Sequence, residues 1–305
     1  MKRLFRKKIV KRVALVTTSA FLVMTLACVG LMGAWLAGYK VPVVSGATWM
    51  TVEKVGSADA AGSPDGVFFI ALIGSDARPG VGGARGDALH LVGVNPATNT
   101  ATMLNVPRDT CWAGGKINRA HAGDGGPRGQ ADALGELTGT NVSYAVSVDF
   151  AGFQGIVDGV GGVQIDVPTN MDDEFSGAVF NAGPNHLDGF HALAYSRDRH
   201  DFPRGDITRS DNQGLLILAG LAQMQNEAKG PAGDFKLAAL LGRHAQLDGV
   251  GLTDLYRLGR VAHKLDLTKV RNVTIPVGGG QCLPLVGDAG GLFADFRDDA
   301  TLQTH

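Results

Sequence analysis

Between Tyr195 and Gln213 the chain gathers arginine at spacings suited to gripping an anion: Tyr-Ser-Arg-Asp-Arg-His-Asp-Phe-Pro-Arg-Gly-Asp-Ile-Thr-Arg-Ser-Asp-Asn-Gln. Arg197 and Arg199 stand two apart, so an extended backbone aims both side chains the same way. Pro203 and Gly205 predict a turn. A helix opening between Thr208 and Ser210, residues of N-cap type, puts Arg209 and Gln213 on one face. The apolar positions Leu215, Leu216, Leu218, Leu221, Ala222 and Met224 continue that helix. Three arginines and a glutamine then converge from a strand end and a helix start. A guanidinium is always charged and presents a planar fork of donors, which suits phosphate oxygens. The same residues also read as a surface mosaic of ion pairs, because Asp198, Asp201, Asp206 and Asp211 are interleaved with them.

A second set of charged residues falls at the ends of predicted strands. Val67-Phe-Phe-Ile-Ala-Leu-Ile73 is a continuous apolar run between glycines, the pattern of a strand buried on both faces. Gly74-Ser-Asp-Ala-Arg78 follows it, and a carboxylate just past a buried strand is a usual position for a site in a sheet-based fold. Arg85-Gly-Asp87 precedes the strand Ala88–Val94, and Pro107-Arg-Asp109 follows the strand Ala101–Val106. If these strands are neighbours, Asp76, Arg85, Asp87 and Arg108 gather at one sheet edge. Carboxylates weaken pure anion binding. They make sense if Asp76 and Asp87 hold Mg²⁺, or Mn²⁺, which bridges to phosphate, since Mg²⁺ takes few carboxylates and keeps its waters. Metal and arginines together suit phosphoryl transfer, where charge collects on non-bridging oxygens. Taken singly, each group also has a plain structural reading: Asp76 as a turn cap, Asp87 paired with Arg85, Arg108–Asp109 as a surface pair.

Other chemistries are poorly supported. The histidines from His90 to His263 show no paired ligand spacing for zinc. Ser75 and Ser196 have neither an adjacent histidine nor a nucleophile-elbow pattern. There is no Gly-rich Lys-Ser/Thr phosphate loop. Arg204-Gly-Asp206 spells an adhesion tripeptide, a match too short to weigh against its arginine-rich context.

The elements that must position these residues alternate between strand and helix spacing. Strands are predicted at 67–73, 88–94, 101–106, 143–148, 163–167 and 270–277. Helices are predicted at 131–137, 150–160, 210–225, 237–241 and 252–265. Such alternation predicts an α/β (α+β-like) fold, a central mixed sheet flanked by helices. Segment 40–66 reads as a tether holding at most one strand, 67–285 as the catalytic domain, and 286–305 as a weakly structured tail.

The chain has 305 residues, 45% of them hydrophobic, enough for a sizeable core. Its net charge of −1 hides an asymmetry, because residues 1–12 carry seven basic residues and no acid. The remainder has 21 basic against 29 acidic residues, a balance of −8, which suits a nucleic acid poorly. Val13 to Tyr39 holds 27 residues without charge, and a bilayer span needs about 20. With the basic cluster before it, this predicts one transmembrane helix, a cytoplasmic N-terminus and an extracellular remainder. A signal peptide is the rival reading, but its apolar region is usually about 7–15 residues long. Cys28 lies in the span; Cys111 and Cys282 would lie outside it, where either a disulfide or two buried thiols is compatible with their chemistry.

Taken together the motifs resemble the LytR-CpsA-Psr proteins of bacterial envelopes. The matching segments are Gly74-Ser-Asp-Ala-Arg78, Arg85-Gly-Asp87, Asn105-Val-Pro-Arg-Asp-Thr110, Lys116-Ile-Asn118, Val148-Asp-Phe-Ala-Gly-Phe153, Val157-Asp-Gly-Val-Gly-Gly-Val163 and Leu187-Asp-Gly189. Ala192 to Arg199, Arg204 to Arg209 and Gln213 complete them, in family order. The resemblance implies a membrane-anchored phosphotransferase that moves a glycopolymer from a polyprenyl-pyrophosphate carrier to a peptidoglycan hydroxyl, with Mg²⁺. The polymer would be arabinogalactan, a teichoic acid or a capsule. Asp76 and Asp87 would hold the metal. Arg85, Arg108, Lys116, Arg197, Arg199, Arg209 and Gln213 would grip the pyrophosphate. Asp206 would orient the arginines or help deprotonate the acceptor. The lipid would lie in an apolar tunnel walled by the helix 150–160 and the leucines of 215–221. Asn212 departs from the family pattern, which often has a basic residue there. A lipid-pyrophosphate-binding scaffold and a lipid pyrophosphate hydrolase are the alternative functions.

Overall fold

The computed structural model describes residues 50–56, 66–77, 84–122, 124–227 and 245–302. The basic segment 1–12, the apolar run 13–39, most of 40–66 and the predicted helix 237–241 lie outside the described residues. Among the described residues, no helix is long and apolar enough to cross a membrane.

The chain begins with strands β1 (Met50–Lys54), β2 (Phe68–Ser75), β3 (Gly86–Asn95) and β4 (Thr100–Asn105). A small hairpin, β5 (Cys111–Trp112) and β6 (Gly115–Lys116), leads to helix α1 (Gly126–Thr138) and strand β7 (Val142–Val148). Next come α2 (Phe150–Gly159) and four short strands, β8 (Val163–Val167), β9 (Met171–Asp173), β10 (Ala178–Phe180) and β11 (Gly183–Leu187). Then follow α3 (Gly189–Arg197), α4 (Asp206–Glu227), β12 (Ala245–Asp248), α5 (Leu252–Lys264), β13 (Arg271–Thr274) and α6 (Ala289–Asp299). Seven strands form one mixed sheet in the order β12-β1-β7-β2-β3-β4-β13, the central sheet that the alternating pattern predicts. Strands β2, β3 and β4 are an antiparallel meander, while β7 lies parallel to β2 and β13 parallel to β4.

The two-residue period of a strand divides β2 between two cores. Phe69, Ala71 and Ile73 face Ala131 and Leu134 of α1 and Phe293 and Phe296 of α6. Phe68 and Ile70 face the other way, toward Leu255, Leu258 and Val261 of α5. A third cluster, including Val157, Val163, Phe180, Tyr195 and Leu216, joins α2, α3 and α4 to the small strands. The space between this cluster and the sheet is the site cleft described below. The helices begin where aspartates supply caps: Asp149 accepts from Gly152 N–H, Asp188 from His191 N–H and Asp288 from Gly291 N–H. Gly214 lets α4 press onto the sheet, because a Cβ there would run into the side-chain oxygens of Asn105 and Asn272.

Three expectations change: the tail, the turn at residues 195–197 and the start of α4. Segment 286–305 is not a loose tail, since Phe293 and Phe296 of α6 are buried in the main core and the Phe296 ring lies 5.2 Å from that of Phe69. Among its described residues, segment 40–66 holds the single strand expected there, β1, which sits between β7 and β12 inside the sheet. Its Glu53 is buried and accepts from Arg128 Nε at 2.7 Å, a partner no local pattern reveals. Residues 195–197 are not extended but the last turn of α3, and α4 opens at Asp206 rather than near Thr208. The Gly-rich stretch 113–129 contains the β5–β6 hairpin, a 3-10 turn at Ile117–His121 and the start of α1.

Cys111 and Cys282 form a disulfide across a sequence separation of 171. Backbone bonds flank it, from Cys111 N–H to Leu283 O and from Leu283 N–H to Asp109 O, so the turn after Arg108 is tied to the segment after β13. Closing a loop this long constrains the unfolded chain and stabilises the fold by about 2–5 kcal/mol. Phe296→Ala is expected to destabilise by about 3–5 kcal/mol in chemical denaturation, the cost of a large cavity in the core. A disordered tail would register no change.

Candidate active site

Four charged residues come together at one end of β2, β3 and β4. Asp76 and Arg85 face each other where the β2–β3 pair ends, with Asp76 N–H donating to Arg85 O and Arg85 N–H donating to Asp76 Oδ1 at 2.7 Å. The register of β2 against β3 then slips: Gly74 pairs with Ala88 but Ser75 pairs with Gly86, leaving Asp87 as the extra residue of a bulge. Bulges re-aim side chains beside active sites. Here the bulge puts Asp87 into the cleft wall together with Ala88 and His90. Arg108 leaves the end of β4 after Pro107 and reaches Asp87, with Nη1 at 2.9 Å from Oδ1.

The later cluster arrives from the helices. Arg197 is the C-terminal residue of α3, where a cation complements the helix dipole, and its guanidinium lies 5.4 Å above the Phe150 ring. Arg199 follows in the turn. Arg209, in the first turns of α4, is 6% exposed; it donates from Nη2 to Asp87 O at 3.2 Å and pairs with Asp206. Asp206 lies 3.6 Å from Arg108 Nε as well, so one carboxylate stands between two arginines. Gln213 donates to Ser196 O at 2.9 Å, and its buried Oε1 has no partner among the described residues.

These groups line one cleft of about 490 Å³. Asp87, Arg108, Arg197, Arg199, Arg209 and Gln213 form its charged end, and Phe150, Phe153, Ile156, Leu193, Leu216 and Ile217 much of its apolar wall. Asp76, Arg85, Asp206 and Lys116 are not among the lining residues. Lys116 Nζ instead lies 2.6 Å from Asp109 Oδ2, an ion pair in place of the expected phosphate contact. Of the predicted tunnel walls, α2 and Leu216 line the cleft, whereas Leu215 is exposed.

The electrostatics favour an anion. Burial lowers the Arg209 pKa; Asp206 and Asp87 pull it back, but Arg108 and Arg199 add like charge and the net direction is down. For Arg108, burial is outweighed by Asp87, Asp206 and Asp109, and the pKa rises. A bound anion would relieve the repulsion among these guanidinium groups. Asp76 and Asp87 stand within the same strand-end cluster as a pair of carboxylates. Among the described residues no group of three or more His, Cys, Asp or Glu forms a metal cage. Two carboxylates are hard oxygen donors of the kind that a largely hydrated divalent cation takes.

Sequence reasoning missed His90. It is buried one pleat deeper than Ala88, with Nδ1 2.7 Å from Asn105 Oδ1, while Asn105 Nδ2 donates to Asn272 Oδ1 at 2.8 Å. That amide chain assigns the proton to Nδ1 and leaves Nε2, which has no partner among the described residues, as an acceptor. The signal is cross-strand register, which the linear pattern does not display.

The site is thus a cluster of arginines at one end of a cleft whose wall is largely apolar. A model of the LytR_cpsA_psr family matches residues 41–284, and the chain belongs to the LytR-CpsA-Psr family. The Bacillus subtilis protein named polyisoprenyl-teichoic acid–peptidoglycan teichoic acid transferase TagV is 30% identical over 212 residues, 64% of this chain and 54% of TagV. The Corynebacterium glutamicum cell wall biosynthesis protein LcpA is 31% identical over 193 residues, 48% of this chain and 37% of LcpA. The chain spans about half or less of the length of these curated relatives. A solved LytR-Csp2A-Psr enzyme from Actinomyces oris superposes with a TM-score of 0.64 at 25% identity, covering 82% of this chain and 95% of that one.

Burial lowers the His90 pKa to about 4, with Arg209 adding to the effect against the Asn105 bond. The folded state therefore favours neutral His90, and the unfolded chain takes up the proton first. This contribution is complete above about pH 6.5 and is lost as pH falls toward 4, an effect on the order of 3 kcal/mol. His90→Leu is expected to reduce the slope of stability against pH by about one proton in that window. An unchanged slope would contradict the assignment.

Proposed function

We propose that the protein is a membrane-anchored phosphotransferase that ligates a polyprenyl-pyrophosphate-linked glycopolymer to a peptidoglycan hydroxyl. The observation that carries this reading is the arginine cluster at the mouth of an apolar cleft. Arg108, Arg197, Arg199 and Arg209 would hold the diphosphate, and Phe153, Ile156 and Leu216 would hold the first prenyl units. The printed names of TagV and LcpA support a role in wall assembly. Residues 13–39 would anchor the chain, with residues 1–12 in the cytoplasm and the folded domain outside the cell. Mg²⁺, or Mn²⁺, would be held by Asp76 and Asp87, and when bound would neutralise phosphate charge.

In this reading the arginines act on the charge that forms as the bridging oxygen departs with its electron pair. They serve best if that charge is greater in the transition state than in the bound substrate. The acceptor hydroxyl attacks directly, so no protein nucleophile is required.

The test is the full-length chain in detergent with Mg²⁺, a lipid-linked sugar donor and a peptidoglycan acceptor. Ligated product is expected. Arg108→Ala and Arg197→Ala should each lower transfer by about 10²-fold or more, with unchanged circular dichroism. Donor cleavage without acceptor would replace this reading by the hydrolase, and binding without turnover by the scaffold.

A further inference from the structure

The turn that carries Arg199 also carries a histidine not assigned to the diphosphate. His200 lines the cleft, and its side chain is 44% exposed. Its Nδ1 lies 3.1 Å from each carboxylate oxygen of Asp173, whose side chain is 2% exposed. Asp173 is itself fixed, because its Oδ1 accepts from Phe175 N–H at 3.0 Å. Burial works against the Asp173 anion, but His200, Phe175 N–H and Ser176 outweigh it and hold its pKa below the ordinary value. The Phe175 ring packs against the imidazole at 4.8 Å between centroids. The backbone of His200 is held too, its N–H donating to Asp198 Oδ1 at 3.1 Å.

This arrangement sets the tautomer. An ionised carboxylate only accepts, so Nδ1 carries the proton and Nε2 offers its lone pair on the opposite edge of the ring. A base whose orientation is fixed by a buried carboxylate is the geometry that general-base catalysis uses. Two other carboxylates near the arginines are already engaged by them: Asp206 lies between Arg108 and Arg209, and Asp87 pairs with Arg108 at 2.9 Å.

We propose that His200, oriented by Asp173, is the general base that receives the proton of the acceptor hydroxyl; this rests on the transferase reading above. The acceptor oxygen forms a bond to the phosphorus bearing the glycan as its proton passes to Nε2. The bond from that phosphorus to the bridging oxygen breaks, and polyprenyl phosphate leaves with the electron pair beside the arginines. Nδ1–H stays donated to Asp173 throughout, and the imidazolium then releases its proton to water. Arg197, Arg199, Asp173, Asp198 and Asp201 are the charged groups around the ring and its turn.

The test compares wild type, His200→Gln, Asp173→Asn and Arg197→Ala as full-length chains, with the same donor and acceptor across a pH series. Wild-type kcat is expected to fall on the acid side with one proton. His200→Gln should lower kcat by about 10²–10⁴-fold, leave the donor KM unchanged and remove that acid limb. Asp173→Asn should lower kcat less and shift the limb. A His200→Gln enzyme with wild-type kcat and an intact limb overturns the base, and if Arg197→Ala is inactive in the same assay the transferase reading survives. If wild type transfers nothing, the transferase reading fails, and with it the base. The dyad is then read from the His200 ring nitrogens by NMR: a neutral Nδ1–H tautomer supports the pairing, and an Nε2–H tautomer refutes it.

Discussion

Mutual repulsion among buried and half-buried guanidinium groups is the constraint around which the site is organised. Arg209 feels both Arg108 and Arg199, and it is buried, so water screens little of that interaction. Three carboxylates, Asp87, Asp109 and Asp206, lie close to Arg108 and offset part of the repulsion. A site left this way suits a polyanion, and the fold keeps it so with rigid supports. Arg108 is set by the end of β4 and a disulfide-tied turn, Arg197 by the end of α3, and Arg209 by the first turns of α4.

The sheet grades the cleft from polar to apolar. One row of cross-strand partners runs Thr274, Asn105, His90, Leu72, Val146 and Val52. Its first three members form a hydrogen-bonded chain, and its last three are aliphatic. Helix α4 crosses the polar part closely because Gly214 has no Cβ. The arginines therefore stand above a floor that changes character within a few strands. Such a floor suits a ligand with a charged head and a hydrocarbon tail.

Much of this was legible in the order of residues. Asp76, Asp87 and Arg108 stand where strongly apolar runs stop, and that places them at strand ends without knowledge of the topology. The interleaving of Arg209 and Gln213 at helical spacing was equally direct. What was not legible came from competing signals. Ala192 to Tyr195 is too short for its period to distinguish strand from helix, although Asp188 as a cap before Gly189 points to helix. The Gly and Asp content after Gly287 masked Leu292, Phe293 and Phe296, whose spacing and Asp288 cap mark a buried helix. The pairs Glu53–Arg128, His90–Asn105 and Asp173–His200 are tertiary, and no local pattern announces them.

The central claim is that acids and arginines from distant parts of the chain surround one diphosphate. A crystal structure of the domain with a short prenyl pyrophosphate tests it most directly. Both phosphates are expected in contact with Arg108, Arg199 and Arg209, and the prenyl chain against Phe153 and Leu216. Phosphates bound away from these arginines, or a prenyl chain pointing into solvent, would contradict it.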